Sequence, residues 1–455
     1  MSSTTTDDER PLARQLILLA LPALAQQYIF FFIQNYDQFL ARDFSSTHKA
    51  ALTTANYLYW FVSSYSVIVS AGATAVVGRM VGAKDWGTAN RAVGQSILLA
   101  FGFGLFGTIA GLIGIPSLLS AVQLDAESKQ IAYEYLTPLA CILAIQMIET
   151  AGIACLVGAG DTLTGLLILI IVATVNVPIA YSLSTGAWGM PNLGFTGIAF
   201  GTATSHCAGG SLILFLLLRG KSGLKVRTSD LWPDRSILRR ILRVSLPAAF
   251  DSLSVAVCQF WFLGIVNLLG PAVASGHGIA LRWEGLGYLS GAAFSSAGAS
   301  LVARNLGAAR PDRAARGGWY AFLIGGALMS LWGIVFASLA RPMCQLFVGE
   351  DSDQHDQVVD AGIIALRTIA CVMPWLAASI IFTGCLRAAG DTRIPVVFTW
   401  IGFLGIRIPL AYLLSHSFFH WGIFGIWLAM NVDIVVRGSL LFFRFFSGKW
   451  KDIRV

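Results

Sequence analysis

Apolar stretches of about twenty residues follow one another along almost the whole chain, separated by short polar joints. That length is what a helix needs to cross the hydrocarbon core of a bilayer. Helices of soluble proteins instead confine their apolar residues to a stripe. Residues 98–115, for example, contain no charged side chain. The pattern predicts twelve spanning helices. Six lie near 15–40, 50–78, 93–115, 130–157, 163–184 and 195–218, and six near 242–268, 275–303, 317–340, 360–386, 394–414 and 422–443. The predicted fold class is all-α and integral to a membrane, with twelve transmembrane helices in two pseudo-symmetric six-helix lobes.

Composition supports this reading. Of 455 residues, 56% are hydrophobic and 12% charged, against about 25% charged in a soluble domain. A disordered chain, a nucleic-acid binder and a secreted disulfide scaffold are thereby excluded. The seven cysteines form no CxxC pair, and most lie in apolar runs as small hydrophobic side chains. The six histidines show no metal-ligand spacing, and neither a Walker motif nor a catalytic triad is present. The sequence therefore points to no metal, no catalytic residue and no enzyme. The start of the chain, polar and acidic, lacks a basic signal region, so the first apolar helix is expected to target the chain and to be retained.

The net charge of +7 is informative through its placement. Of the 31 Lys and Arg, 23 fall in the termini and alternate loops on one side of the predicted spans. Only Arg42, Lys49, Lys129 and Arg341 fall on the other, and four more lie inside spans. Positive loops stay in the cytoplasm, so both termini are expected there, in an inner or plasma membrane.

The two six-helix sets also repeat each other. Leu21-Pro22-Ala23 recurs as Leu246-Pro247-Ala248, and Arg79 with Gly82-Ala83 recurs as Arg304 with Gly307-Ala308. Gly160-Asp161-Thr162 recurs as Gly390-Asp391-Thr392, and Val177-Pro178 as Ile408-Pro409. An even number of spans per copy gives both halves the same topology. The expected lobes are 14–218 and 241–446, joined by a basic linker at 219–240. A duplicated bundle with a cavity between its lobes is a transporter plan.

The duplicated RxxGA loop, the duplicated GDT motif and the Asn35-Tyr36-Asp37 stretch resemble the MATE (multidrug and toxic compound extrusion) family of cation-coupled antiporters. The resemblance runs from about Leu12 to Phe446. It implies two lobes around a cavity and export of organic solutes against inward Na⁺ or H⁺. Family members often carry an Asn and an Asp four residues apart in the fifth helix, but here Asn176 is followed by Ala180. The family's Glu eight residues after the proline of the seventh helix is Val255.

Ionisable groups inside spans cost about 2.5–3.5 kcal/mol each at a helix centre, so each needs a partner or a wet face. Asp433 and Arg437, four apart, can pair on one helix. Asp37, Glu149, Asp251 and Glu284 have no such local partner. Asp37 continues a stripe of Gln27, Gln34 and Gln38, and the second helix carries Asn56, Tyr59, Ser63 and Ser66. The other lobe places Glu284 and Tyr288 on one face. The repeat acts as a control, because Asp37 corresponds to Phe262, Glu284 to Tyr59 and Asp251 to Gln26. Carboxylates that the other copy lacks are candidates for function. Asp161 and Asp391, kept in both copies beside Gly, read as helix caps, although the resemblance also lets Asp391 help bind cation.

The candidate coupling-ion residues are thus Asp37, Asn176 and Asp391. The candidate cavity residues are Gln34, Asn56, Tyr59, Asp251, Glu284 and Tyr288. The expected partners are small organic substrates and the lipid bilayer, with a coupling cation (H⁺ or Na⁺) in place of a cofactor, and the chain is expected to act as a monomer. A flippase for lipid-linked or anionic compounds shares the two-lobe plan, and a lipid-modifying membrane enzyme is the reading from another class. In a background without native cysteines, single cysteines at Lys84 and Asp353 are expected to label from opposite sides of the membrane in intact cells. Labelling from one side would overturn the span count.

Overall fold

In the computed structural model, residues 11–121, 126–347 and 355–453 are described, and they are helical almost throughout. The first half comprises α1 (Leu12–Leu40), α2 (Ser46–Gly82), α3 (Trp86–Ala121), α4 (Ala126–Cys141), α5 (Leu143–Ala159), α6 (Thr162–Thr185) and α7 (Phe195–Arg219). The second comprises α8 (Arg235–Asn267), α9 (Pro271–Gly307), α10 (Pro311–Gln345), α11 (His355–Ala370), α12 (Met373–Ala389), α13 (Arg393–Trp400), α14 (Ile408–Tyr412) and α15 (Gly422–Phe446). Among the described residues ten helical segments are long and apolar enough to span a membrane. The pairs α4–α5 and α11–α12, bent by 52° and 63°, complete the twelve spans.

The bends have a chemical cause. Pro138 lies four residues before the α4–α5 break, and Pro374 lies at the start of α12. A proline removes a backbone donor and crowds the preceding turn. The eleventh span is irregular in another way, with π-helical stretches at Ile401–Arg407 and Leu413–Ser417 on either side of α14. Its counterpart α6 is α-helical throughout.

The repeat reaches into backbone detail. Gly160 and Gly390 end α5 and α12 in the same left-handed conformation, at φ of 89° and 90°. Behind each, the next amide reaches back in the same way, Asp161 N–H to Leu156 O and Asp391 N–H to Leu386 O. Lys84 and Ala309, equivalent positions without glycine's freedom, share φ values of 61° and 55°.

Two compact units make up the chain. One is Ala25–Ala249 with Gly307–Ala309. The other comprises Met1–Leu24, Phe250–Leu306 and Arg310–Val455. The chain crosses between units within α1 and within α8, at equivalent positions, each just after the paired proline. In the first unit the start of α8 lies on α2: Ser245 Oγ donates to Val69 O and accepts from Gly72 N–H. In the other, Leu16, Leu19 and Ala20 join a core with Ala297, Leu301 and Val302.

Lipid tails are as apolar as leucine, so burial gives little drive for helix association there. Small residues and close contact replace it. A Cβ on Gly158 would lie 2.8 Å from Thr74 O and 3.1 Å from Gly78 N. Gly307 sits against the backbone of Arg79, leaving no room for a side chain, so the repeated RxxGA motif is a packing element. Outward faces stay apolar: Phe101, Leu105, Ile109 and Ile113 form an exposed stripe on α3. Hydrogen bonds from the Thr88 side chain and amide hold the Asp85 carboxyl below its ordinary value at the α2–α3 joint. Gly158→Ala is expected to destabilise the protein by about 1–3 kcal/mol through overpacking, read as a lower unfolding temperature in detergent. An unchanged temperature would contradict this packing.

Candidate functional site

In the unit of Ala25–Ala249, three polar residues from three helices converge. Asn176 of α6 donates through Nδ2 to Thr202 Oγ1 of α7 at 3.1 Å. Thr202 in turn donates to Asp37 Oδ2 of α1 at 3.1 Å. Asp37 is 9% exposed and Asn176 is fully buried. The other acceptors, Asp37 Oδ1 and Asn176 Oδ1, are buried without a hydrogen-bond partner. A buried carboxylate with no cationic partner is expensive. Two open oxygens beside a hydroxyl fit a proton or a small hard cation such as Na⁺, which binds through oxygen.

The structure thus joins Asp37 and Asn176, as the sequence suggested, through Thr202, which the sequence reading missed. Thr202 lies in a segment of α7 rich in small and hydroxyl residues, Gly201 to His206, with no spacing that sets it apart. Gln34, one turn before Asp37, is exposed on α1 and outside this network. Asn56 and Tyr59 lie in α2, but their side chains, like that of Ser63, fall outside the described residues. The position of the family's second acid, Ala180, is closed: a Cβ on Gly201 would lie 2.5 Å from the Cβ of Ala180. That contact brings α6 and α7 together where a longer side chain would separate them.

Glu149 and His206 form a second pair in the same unit, with Oε2 and Nδ1 2.8 Å apart and both residues buried. They line a cavity of about 210 Å³ together with Gln26, Gln27 and Gln146.

The other unit is organised differently. Asp433 of α15 is fully buried between Arg407, at 2.6 Å, and Arg437, at 3.3 Å. The expected pairing with Arg437 is present, and Arg407 is the closer partner. Arg407 also donates to Gln259 Oε1 and lies over the rings of Phe403 and Phe262. The π-helical stretch Ile401–Arg407 wraps this pair, with Gly402 leaving room for Asp433 Oδ1.

Asp251, which has no partner at helical spacing on its own helix, meets Arg387 of α12 at 2.5 Å. Arg387 directly follows the predicted span 360–386, where the charge pattern places it in a cytoplasmic loop. It instead occupies the last turn of α12, and the two residues are 136 positions apart. Asp391 also departs from expectation. Asp161 caps α6 by accepting from Thr164 N–H, but α13 has Thr392 at its N-cap. Asp391 is taken instead by Arg444 of α15, at 2.7 Å, because a guanidinium is a stronger donor than a backbone amide. Asp391 therefore lies in the other unit from Asp37 and already has a cation. Glu284 is half-buried on α9, and among the described residues it has no hydrogen bond or ion pair. Tyr288, one turn on, is 50% exposed, within the electrostatic reach of Asp251, Glu284, Arg387 and Arg437.

The repeat relates the two centres. By the spacing of the Val177-Pro178 and Ile408-Pro409 motifs, Asn176 corresponds to Arg407, and Asp37 corresponds to Phe262. Where one copy leaves a carboxylate without a cation, the other builds in a guanidinium stacked on an aromatic ring.

A family model described as MatE matches residues 22–182 and again 247–413. The two matches begin at the paired prolines. A probable multidrug resistance protein NorM of Thermotoga maritima is 25% identical over 446 residues, covering 96% of this chain and 93% of that protein. The probable multidrug resistance protein YoeA of Bacillus subtilis is 23% identical over 89% of this chain and 87% of its own. Among solved structures, an outward-facing multidrug resistance MATE family transporter of the MOP superfamily gives a TM-score of 0.89 at 20% identity, covering 99% and 100% of the two chains. A MOP superfamily transporter from Pyrococcus furiosus gives 0.90 at 20% identity over 98% of each.

Replacing one member of a buried ion pair leaves an uncompensated charge, at a cost of about 3–5 kcal/mol. Asp433→Asn is expected to lower the unfolding temperature sharply, and Arg407→Met with Asp433→Leu to recover most of the loss. Equal stability of Asp433→Asn and wild type would contradict the assignment of this pair as structural.

Proposed function

Because the chain belongs to the MatE family, we propose that it is a secondary antiporter of the plasma membrane, exporting amphipathic organic compounds in exchange for H⁺ or Na⁺. The observation that carries the coupling part is the contrast among carboxylates. Asp251, Asp391 and Asp433 each have an arginine, and Glu149 has His206. Asp37 is also buried, yet among the described residues its one hydrogen bond comes from a neutral hydroxyl. A charge held in a low-dielectric site without a fixed counter-charge selects for a mobile one.

The mobile charge is the coupling cation. A proton would convert Asp37 to a neutral acid, and Na⁺ would be held by Asp37, Asn176 and Thr202. Either neutralises the outer part of α1, the helix marked by Pro22. Alternating access then follows from two lobes, 14–218 and 241–446, joined by the basic 219–240 stretch, whose exchange between states is biased by the charge on Asp37. Glu284 and Tyr288, with Asp251 nearby, form the polar patch of the second lobe that meets cationic substrates. Both termini are cytoplasmic in this reading, and the monomer is the working unit.

Export of a polyanionic lipid precursor would call for guanidinium groups free to meet it. Arg387 is instead paired with Asp251, and Arg407 and Arg437 share Asp433.

In proteoliposomes with an imposed pH or Na⁺ gradient and a panel of cationic dyes, Asp37→Asn is expected to fold normally and to lose gradient-driven transport. The amide imitates the neutral form and holds the switch in one state. Glu284→Gln is expected to weaken transport to a degree that varies with the substrate. Transport by Asp37→Asn at the wild-type rate would eliminate Asp37 as the coupling group.

A further inference from the structure

One buried ion pair beside the Asp37 network has no part in the mechanism above. Glu149 is 3% and His206 7% exposed, and both line the cavity of about 210 Å³. Sites that enclose drug-sized ligands run from about 300 to 1,000 Å³. This cavity is smaller, yet at about 30 Å³ per water it accommodates several, and Gln26, Gln27, Gln146 and Ser66 supply polar walls. Space for the carboxylate is kept open by Gly209, where a Cβ would lie 2.9 Å from both Cδ and Oε1 of Glu149.

The pair also stands in line with Asp37. His206 follows Thr202 by one turn of α7, so the two share a face, and Thr202 is the residue that donates to Asp37. Two charged groups act on His206: Glu149 from α5 and Asp37 from α1. On α6 the uncharged Asn176 donates to Thr202, one turn before His206, and Cys207 adjoins His206 on α7. The fold does not need this pair. By the spacings of the Gly160 and Gly390 caps and of Gly194 and Gly422, the second copy has Ser379 and Ile434 at the equivalent positions.

We propose that Glu149 and His206 form a second proton-binding site, in series with Asp37, which substitutes for the carboxylate that position 180 lacks. The proposal rests on the proton form of the coupling described above. With Nδ1–H donating to Glu149, the free lone pair of His206 is on Nε2. A proton lost from the Asp37 carboxyl to water is matched by one that Nε2 takes up from water in the cavity. Asp37 becomes anionic and His206 an imidazolium, which Glu149 stabilises. Release of the Nε2 proton to water in the cavity returns the imidazole to neutrality. No other bond changes.

The test uses the full-length protein in lipid nanodiscs with ¹⁵N-labelled histidine, followed by NMR. The His206 signals are assigned by their loss in His206→Gln, or, if that variant does not fold, by their displacement in Glu149→Gln. Between about pH 5 and pH 9 the ring nitrogens of His206 are expected to pass from imidazolium to neutral positions. The midpoint should move to lower pH by at least about one unit in Glu149→Gln, and by a smaller resolved amount in Asp37→Asn, because each change removes a negative neighbour. A His206 that stays in one state over that range, or a midpoint unmoved by Asp37→Asn, would overturn the proposal. The readout needs no transport. Its failure is therefore separable from failure of Asp37 as the coupling group, which the transport assay reads by itself.

Discussion

A charged side chain inside the hydrocarbon has no water to fall back on, and the polar architecture of this protein follows from that constraint. Asp433 is enclosed by two guanidinium groups, Asp251 and Asp391 each take an arginine from another helix, and Glu149 takes an imidazole. Each pair also ties helices together where apolar burial offers little. Asp37 departs from this rule. Among the described residues the surrounding unit hydrogen-bonds it through a threonine hydroxyl with an asparagine behind, and no Lys or Arg pairs with it. Among the described buried carboxylates Asp37 alone has no ion-pair partner, and in the proposed mechanism this imbalance is where charge comes and goes.

Gene duplication makes the contrast sharper, because each half serves as a reference for the other. Features kept in both copies are those the fold requires: the left-handed glycines after α5 and α12, the prolines after which the chain changes unit, and the RxxGA motif at the ends of α2 and α9. Features that differ are free of that requirement. Asn176 and Arg407 occupy equivalent positions, as do Asp37 and Phe262. One copy has fixed its cation covalently, as Arg407 stacked on Phe262 and paired with Asp433. The other has kept an acid and a neutral amide. The π-helical distortion of the eleventh span belongs to the first arrangement, since it accommodates Arg407 against α15, and α6 has no comparable irregularity.

Much of this was legible in the sequence. Apolar length gave the spans, and the family match and the helices agree with it, because bilayer thickness imposes a one-dimensional rule on each helix separately. Asp37 and Asn176 were legible as polar residues out of place in apolar runs. Their link through Thr202 was not, since threonine is tolerated in any membrane helix and only the packing of α7 against α1 and α6 turns it into a bridge. The partner of Asp251 was hidden for the same reason: helical spacing reveals neighbours on one helix, whereas Arg387 is brought in by a different one. Its position near a basic loop made it look cytoplasmic, because loop boundaries are uncertain by about a turn and an arginine side chain extends further than that.

In the proposed mechanism, the placement of Asp37 on α1 gives its charge a mechanical consequence. Residues 12–24 of this helix are built into one compact unit and residues 25–40 into the other. Asp37 lies in the second segment, and the change of unit falls just beyond Pro22, where the helix lacks one of its backbone hydrogen bonds. A helix shared by two units cannot alter its packing in one without loading its other end. Among the described residues Asp37 has one hydrogen bond, from Thr202, so neutralising it changes the balance between that bond and the cost of a bare carboxylate. The sum is of the order of a few kcal/mol. Differences of that size bias an equilibrium between two packed states by one to two orders of magnitude or more. A carboxylate bound by arginine could not deliver that change, because its charge is already cancelled. In the proposed mechanism, the absence of an ion-pair partner for Asp37 among the described residues is what gives a passing cation leverage over the fold.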